Sequence, residues 1–403
     1  MSIIAAQSDR SHSSVWIAIV LLIVGTLSAY QIVGINQALL FLIGGALGMT
    51  LYHASFGFTS SWRVFIKERK GRGLRAQMIM LALAVLLFFP ALGAGELFGQ
   101  PVKGNVNPVS MSVMIGAFIF GIGMQLGGGC ASGTLYTVGG GSSRMLITLF
   151  FFCLGSLIAT SHIEWWFALP HLAPISVVQS FGVIPALILN FVLFGLIALA
   201  TVYFEKKRHG QLEQEPVAAH QGWKRFLKGP WPLIWGGIIL TLLNFATLAL
   251  AGRPWGVTSA LAVWAAKGAT LVGIDVTAWD YWQQPGNAKA LANSLWFDIT
   301  SMMNFGIMLG ALLAAGLAGK FAPSLNIPKR SILAAVIGGI MLGYGARLAY
   351  GCNIGAYFSG IASGSLHGWL WLIFAFIGNG IGVKLRPIFF PSEKPQPEKL
   401  TGC

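Results

Sequence analysis

Residues 121–133 read GIGMQLGGGCASG, and residues 343–355 read GYGARLAYGCNIG. Laid over one another, Gly121, Gly123, Leu126, Gly129, Cys130 and Gly133 fall on Gly343, Gly345, Leu348, Gly351, Cys352 and Gly355. Six identities in thirteen positions, one of them a rare residue, indicate an internal duplication. Each copy closes an apolar segment of helix length and sets a cysteine among glycines. A helix that breaks at such a loop frees backbone N–H and C=O groups. At membrane depth that is tolerated only where the break is buried in protein or lines a polar cavity. Two breaks, one in each half, predict a binding site where the halves meet.

The rest of the chain supplies the membrane. Charged residues make up 9% of the 403 and apolar residues 55%, with a mean hydropathy of +0.72, whereas an ordinary soluble domain is about 25% charged. Apolar runs of roughly 18–25 residues recur from end to end, which marks an all-α polytopic membrane protein. The net charge of +14 does not argue for nucleic acid, because the basic residues gather in short segments between spans. No basic stripe interleaved with base-stacking aromatics occurs. Of the four cysteines, Cys130, Cys153, Cys352 and Cys403, none forms a CxxC pair or a metal-ligand spacing, so no metal and no cofactor is expected. Cys153 sits inside an apolar run and reads as a small core residue. The polar N-terminus, MSIIAAQSDRSHSSVW, does not look like a cleaved signal, and the first span reads as retained.

Ten spans follow in order, at about 15–33, 36–53, 78–95, 109–127, 144–160, 177–203, 231–251, 294–318, 331–349 and 366–383. A basic run from Arg63 to Arg75 separates the second and third, and the polar stretch 205–228 separates the two halves. The piece RPWGVTSALAVWAAKGATLVG is too short and interrupted to cross, and reads as re-entrant. With both termini cytoplasmic, inner segments hold 21 of the 26 Lys/Arg, leaving Lys103, Arg253, Lys267, Lys289 and Arg347 outside, as the positive-inside bias predicts. The expected division is an extra N-terminal span in 1–35, a first repeat in 36–160, and a connecting span with cytoplasmic linker in 161–230. A second repeat in 231–383 and a cytoplasmic tail in 384–403 complete it. The first repeat starts outside and the second inside, so the duplication is expected to be inverted, an arrangement common among secondary transporters. A shorter pair, FGFTS at 56–60 and WGVTS at 255–259, follows the first helix of each half and suggests four re-entrant elements in all.

A glycine-rich turn ahead of a helix presents backbone N–H groups and a positive dipole end, which favour an anion. The expected binding groups are Cys130, Gly129, Gly133 and Thr134 in one loop, Cys352, Gly351 and Gly355 in the other, and Thr59 and Thr258 in the shorter pair. Tyr136, Thr137, Tyr357 and Ser359 supply further hydroxyls. A thiol is soft and polarizable, so it suits a sulphur- or selenium-bearing ligand better than a hard oxyanion. The same small residues also suit close helix packing, and that reading stays open beside the first. Asp298 reads as a helix cap. Arg347 takes the slot of Gln125, and serves either to draw anions or to snorkel to the interface.

At these residues the chain resembles the YeeE/YedE family of bacterial inner-membrane proteins, through GGGCASGTLY, GARLAYGCNIG and the half-repeats around them, over about residues 36–383. The resemblance implies an hourglass of inverted repeats with short re-entrant helices. It also implies uptake of a small sulphur-containing anion, thiosulfate foremost, touched in succession by cysteines that Cys130 and Cys352 match. A small cytoplasmic sulphur-carrier protein is an implied partner. One departure stands out: where many relatives carry a cysteine in RFCxxGxxR, HASFGFTSSWR has Gly57, with Thr59 or Ser60 the nearest polar groups. The rival expectations are transport of another sulphur or selenium species, and a membrane-embedded sulphur-transfer or redox protein using Cys130 and Cys352. The absence of a cofactor motif and of a paired acid and base favours a transporter over an enzyme.

Overall fold

The computed structural model describes residues 2–215 and 220–391, so Cys403 lies outside the described residues. The first half holds α1 (Ser2–Ile32), α2 (Ile35–Ala54), α3 (Phe58–Glu68), α4 (Arg72–Ala94), α5 (Met111–Gly127), α6 (Ala131–Gly139) and α7 (Ser143–Thr160). Short α8 (Ile163–Phe167) and α9 (Val177–Phe181) lead to α10 (Val183–His209) and the linker helix α11 (Gly222–Lys228). The second half holds α12 (Leu233–Ala251), α13 (Thr258–Leu271), α14 (Asp280–Gln283), α15 (Pro285–Ala292), α16 (Ile299–Leu317) and α17 (Lys329–Leu348). It closes with a π-helix (Asn353–Phe358), α18 (Ser359–Ala362) and α19 (Leu366–Phe389). Two-residue strands β1 (Glu96–Leu97) and β2 (Gln100–Pro101) form a hairpin after α4, and β3 (Val109–Ser110) pairs with β4 (His171–Leu172).

Among the described residues, ten segments are long and apolar enough to cross a membrane. The chain is therefore a multi-pass membrane protein. The apolar side chains of α1 and α10, such as Ile17, Val24, Ile188 and Leu199, stand exposed, as lipid-facing helices require. Three of the ten segments contain an internal break: α2 into α3, α5 into α6, and α17 into the π-helix and α18. The helix ends at Ala54, Gly127 and Leu348 fall within a residue of the sequence expectation. Several other boundaries differ by five residues or more, the starts of α4 and α10 among them. Helix α4 starts at Arg72, several residues before the apolar run, because Glu205 on α10 accepts from the Gly71 N–H at 3.0 Å and pairs with Arg75 at 2.6 Å. Helix α10 starts at Val183, because Gly182, at a positive φ of 84°, separates it from α9.

Packing repeats with the halves exchanged. Helix α2 lies on α16 as α4 lies on α12, and α7 lies on α17 as α5 lies on α19. The short elements follow: α13 meets α7 as α3 meets α19, and α6 meets α16 as α18 meets α4. Matched helices also meet each other, α2 with α12 and α5 with α17. Their direction is read from glycines at the crossing. Gly116 faces Gly345 and Leu348, whereas Gly127 faces Gly338 and Leu342, so α5 and α17 run antiparallel. Along α17, Gly339 faces Thr148 and Gly343 faces Ser156, so α17 and α7 run parallel. Equivalent helices thus point in opposite directions, and the repeats are inverted. Backbones come this close because small residues line the crossings, which is how helices associate in a medium as apolar as their own side chains. The linker end of the molecule carries Arg72, Arg75 and α11; the hairpin end carries β1, β2, α8, α14 and α15.

Candidate functional site

Each cysteine caps the helix that follows a break. After α5, Gly128 turns with φ 94° and Cys130 precedes α6, where its Sγ accepts from the Gly133 N–H at 3.4 Å. After α17, Tyr350 and Gly351 turn with φ 56° and 150°, and Cys352 precedes the π-helix, its Sγ accepting from the Ile354 N–H at 3.4 Å. Both thiols therefore sit at the positive end of a short helix. Both are buried within one continuous core, and α6 touches the π-helix. Neither faces lipid.

The glycines make the loops possible in different ways. A Cβ on Gly129 would come within 3.2–3.3 Å of Gly133, Met145 and Thr134. On Gly351 it would meet the Ala356 N at 2.8 Å in a backbone conformation that L-residues rarely adopt. Gly355 has open space beside it, and its carbonyl accepts from Asn105 Nδ2 at 2.6 Å. Thr134 donates its hydroxyl to the Cys130 carbonyl at 2.9 Å, and Thr137 to the Gly133 carbonyl at 2.6 Å. Those two hydroxyl protons shape α6 instead of pointing to a ligand.

The shorter pair meets the same breaks. Gln125 Nε2 donates to the Thr59 carbonyl at 3.1 Å and to Asn379 Oδ1 at 3.2 Å. At the matched place Arg347 Nη2 donates to Thr258 Oγ1 at 2.8 Å, and its Nη1 to the Tyr281 hydroxyl at 3.1 Å. Arg347 is thus half-buried and tied to two hydroxyls. A Cβ at Gly57 would meet only the Ser60 Oγ closely, so a side chain there requires that one hydroxyl to turn away.

Two cavities approach the breaks from opposite ends. At the hairpin end, a cavity of ≈ 620 Å³ is bounded by Lys103, Arg253, Thr258, Arg347, Gly351 and Gly355. Arg253 donates to Thr300 Oγ1 at 3.1 Å; burial lowers its pKa from the ordinary value, and the Asp298 carboxylate opposes that shift. Three of the five cations that broke the charge bias thus converge on the mouth of the Cys352 loop. For Lys103 and Arg253 this was missed from sequence, where they counted only as exceptions. The signal was present in their sparseness: a cation kept on the uncharged side needs a reason. At the linker end, a second cavity of ≈ 570 Å³ is lined by Ser60, Ser61, Lys70, Arg72, Arg75 and Arg225. Glu213 and Glu215 also line it, with Glu213 3.7 Å from Lys70 and 3.6 Å from Arg72, and Glu215 3.6 Å from Arg225. The first basin presents cations to a ligand; the second has its cations already facing carboxylates.

A family model described as sulphur transport matches residues 53–381. The chain is 29% identical over 365 residues to the thiosulfate transporter TsuA of Spirochaeta thermophila, covering 84% of this chain and 95% of that one. It is 24% identical over 363 residues to the thiosulfate transporter TsuA of Escherichia coli, covering 83% of this chain and 90% of the relative. The probable transporter YedE of Escherichia coli is 34% identical over 161 residues, 40% of this chain and 39% of the relative.

Proposed function

The chain belongs to the sulphur transport family, and from that premise we propose that it takes up thiosulfate along a path marked by Cys352 and then Cys130. The observation that carries this reading is the hairpin-end cavity, whose Lys103, Arg253 and Arg347 lead onto Gly351 and the Cys352 cap. The cations concentrate an anion at the mouth. Beyond them, the capping thiols and helix N-termini offer a soft donor and a positive dipole where charged side chains give way to apolar core. Passage needs no bond to form or break: each thiol lends an S–H to the anion and takes it back. Weak, serial contacts suit conduction, since a site that holds an anion too firmly does not release it.

In this reading residues 36–160 and 231–383 are the two repeats, and α3, α6, α13 and the π-helix with α18 are re-entrant elements. The hairpin end faces outward, with residues 161–176. Both termini and residues 205–228 are cytoplasmic, in the inner membrane of a bacterium. The linker-end basin is then the release side, where a small sulphur-carrier protein would collect the anion. Because Gly57 stands where many relatives have cysteine, the relay here has two thiols, with Thr59 beside the third place.

The test is uptake of sulphur-labelled thiosulfate into sealed vesicles holding the purified protein, with and without a proton gradient. Label recovered inside as intact thiosulfate supports the proposal. No uptake of thiosulfate, with uptake of another sulphur or selenium anion, transfers the reading to that anion. Label recovered as a changed product, or on Cys130 or Cys352, points to a sulphur-transfer protein.

A further inference from the structure

One group of buried polar atoms has no role in the description above. Asn353 Nδ2 and Oδ1, the Tyr357 hydroxyl and Trp371 Nε1 are all buried and lack a hydrogen-bond partner. Tyr357 and Trp371 stack on each other, with ring centroids 6.3 Å apart and planes 11° from parallel. Phe58 from α3 and Trp62 stand edge-on to Tyr357 at 5.9 and 6.0 Å, and Phe120 from α5 lies 5.5 Å from Trp371. Two elements, α3 and α5, therefore wall a pair that itself sits on the π-helix and α19.

An unmet buried donor costs about 1–3 kcal/mol, and phenylalanine at 357 and 371 would give the same stacking without that cost. Backbone geometry points the same way. Asn353 and Tyr357 both lie in the six-residue π-helix that follows Cys352, a rare form that occurs mostly at functional positions. The first repeat has neither the π-helix nor polar residues at the places matched to Asn353 and Tyr357. Its following helix α6 is α-helical, and Ala131 and Leu135 occupy the matched places. Thr148, matched to Trp371 through Gly155 and Gly378, donates to the Gly127 carbonyl at 3.1 Å.

We infer that Tyr357, Trp371 and Asn353 form an occluded station for the transported anion, placed where the π-helix touches α6 between the two cysteine caps. The inference rests on the transport reading and extends it. A phenol, an indole and an amide supply four N–H or O–H donors in all, and no carboxylate is among them. Neutral donors between aromatic walls suit a dianion that carries a soft, less strongly hydrated sulphur beside its oxygens, as thiosulfate does. They match an all-oxygen dianion such as sulfate less well, because its greater desolvation cost would be poorly repaid. The station uses neutral hydrogen bonds where the mouth uses guanidinium charge, so the anion is held less firmly in the middle than at entry.

The test compares wild type with Tyr357→Phe and Trp371→Phe in sealed vesicles fed labelled thiosulfate, alongside thermal unfolding of each purified protein. Tyr357→Phe removes only an unpaired buried hydroxyl and leaves the folded state as stable as wild type or more so, whereas Trp371→Phe also gives up buried ring volume and some stability. In both, uptake falls about tenfold or more, the worth of one hydrogen bond to an anion. Uptake at the wild-type rate in both variants overturns the station and leaves the transport reading intact. Tyr357→Phe unfolding at lower temperature or failing to insert also overturns it, since the hydroxyl is then holding the fold. Absence of thiosulfate uptake by wild type itself would remove the premise, a result distinguishable from either.

Discussion

The two cysteine loops share a backbone plan and differ in nearly every side chain around it. Around Cys130, Thr134 and Thr137 bond their own helix, Gln125 bonds Thr59 and Asn379, and Thr148 bonds Gly127. Around Cys352 stand Arg347 in place of Gln125, Tyr357 in place of Leu135 and Asn353 in place of Ala131, with polar atoms left unpaired. Unpaired buried atoms occur at the first loop too, in Gln125 Oε1, Thr59 Oγ1 and Asn379 Nδ2, and the second loop is distinguished by the basic cavity it borders. Duplication supplied the fold, and on the proposed reading divergence made one copy the receiving half. A symmetric pore would hold an anion equally at both ends; the path proposed above has charge at entry, neutral donors in the middle and ion-paired cations at exit.

Matched glycines should break the comparison most sharply. Gly351→Ala forces a Cβ into a left-handed conformation and against the Ala356 N, and should cost about 2–3 kcal/mol or more of stability. Gly129→Ala meets only tight contacts of 3.2–3.3 Å and should cost about 1 kcal/mol or less. Thermal unfolding in detergent reads the difference, and equal losses would mean the two loops are no more different than their sequences.

Exchange of the matched polar pair comes next. Arg347→Gln gives the second loop the first loop's side chain, and should raise the KM for thiosulfate about 10–100-fold through loss of a charge-assisted contact. The wild-type KM should also rise with salt, and the variant's should rise less, because screening acts on the charge that was removed. Gln125→Arg should leave the KM within about threefold, since a cation beyond the midpoint does not meet the anion at entry.

The smallest effect belongs to the exit basin. Glu213→Gln combined with Glu215→Gln should lower uptake by no more than about threefold, each partly exposed pair being worth about 0–1 kcal/mol. Arg72 and Arg225, relieved of these carboxylates, should instead strengthen inhibition by thiosulfate loaded inside the vesicles. A tenfold change in uptake would show that the linker carboxylates gate the path.

Much of this plan was legible in the chain. The span count, the inversion and the helix ends at the breaks follow from apolar length, charge placement and the repeated GxGxxLxxGCxxG spacing, all of which are local. The meeting of Gln125 with Thr59, and of Arg347 with Thr258, was half legible, because both partners sit in the repeated motifs although their pairing was not. What stayed hidden depends on contacts between distant segments. Asn105 reaches Gly355 across 250 residues, and the stacking of Tyr357 on Trp371 depends on a π-helix that no hydropathy pattern announces. Unpaired polar atoms are invisible to sequence in principle, because pairing is a property of the packed state. The α4 start was misjudged for a related reason: Arg72 and Arg75 look like loop residues until Glu205 on a remote helix is seen to hold them.

The relay is tested most directly by uptake of labelled thiosulfate through Cys130→Ala, Cys352→Ala and the two serine replacements, each confirmed folded by its thermal unfolding profile. Both thiols cap short helices through a sulphur atom 3.4 Å from a backbone N–H, and serine preserves that geometry with a harder, more strongly hydrated oxygen. If soft sulphur contacts carry the anion, alanine at either position abolishes uptake and serine fails almost as badly. Normal uptake by all four folded variants would contradict the relay and leave both cysteines as packing residues in a glycine-lined turn.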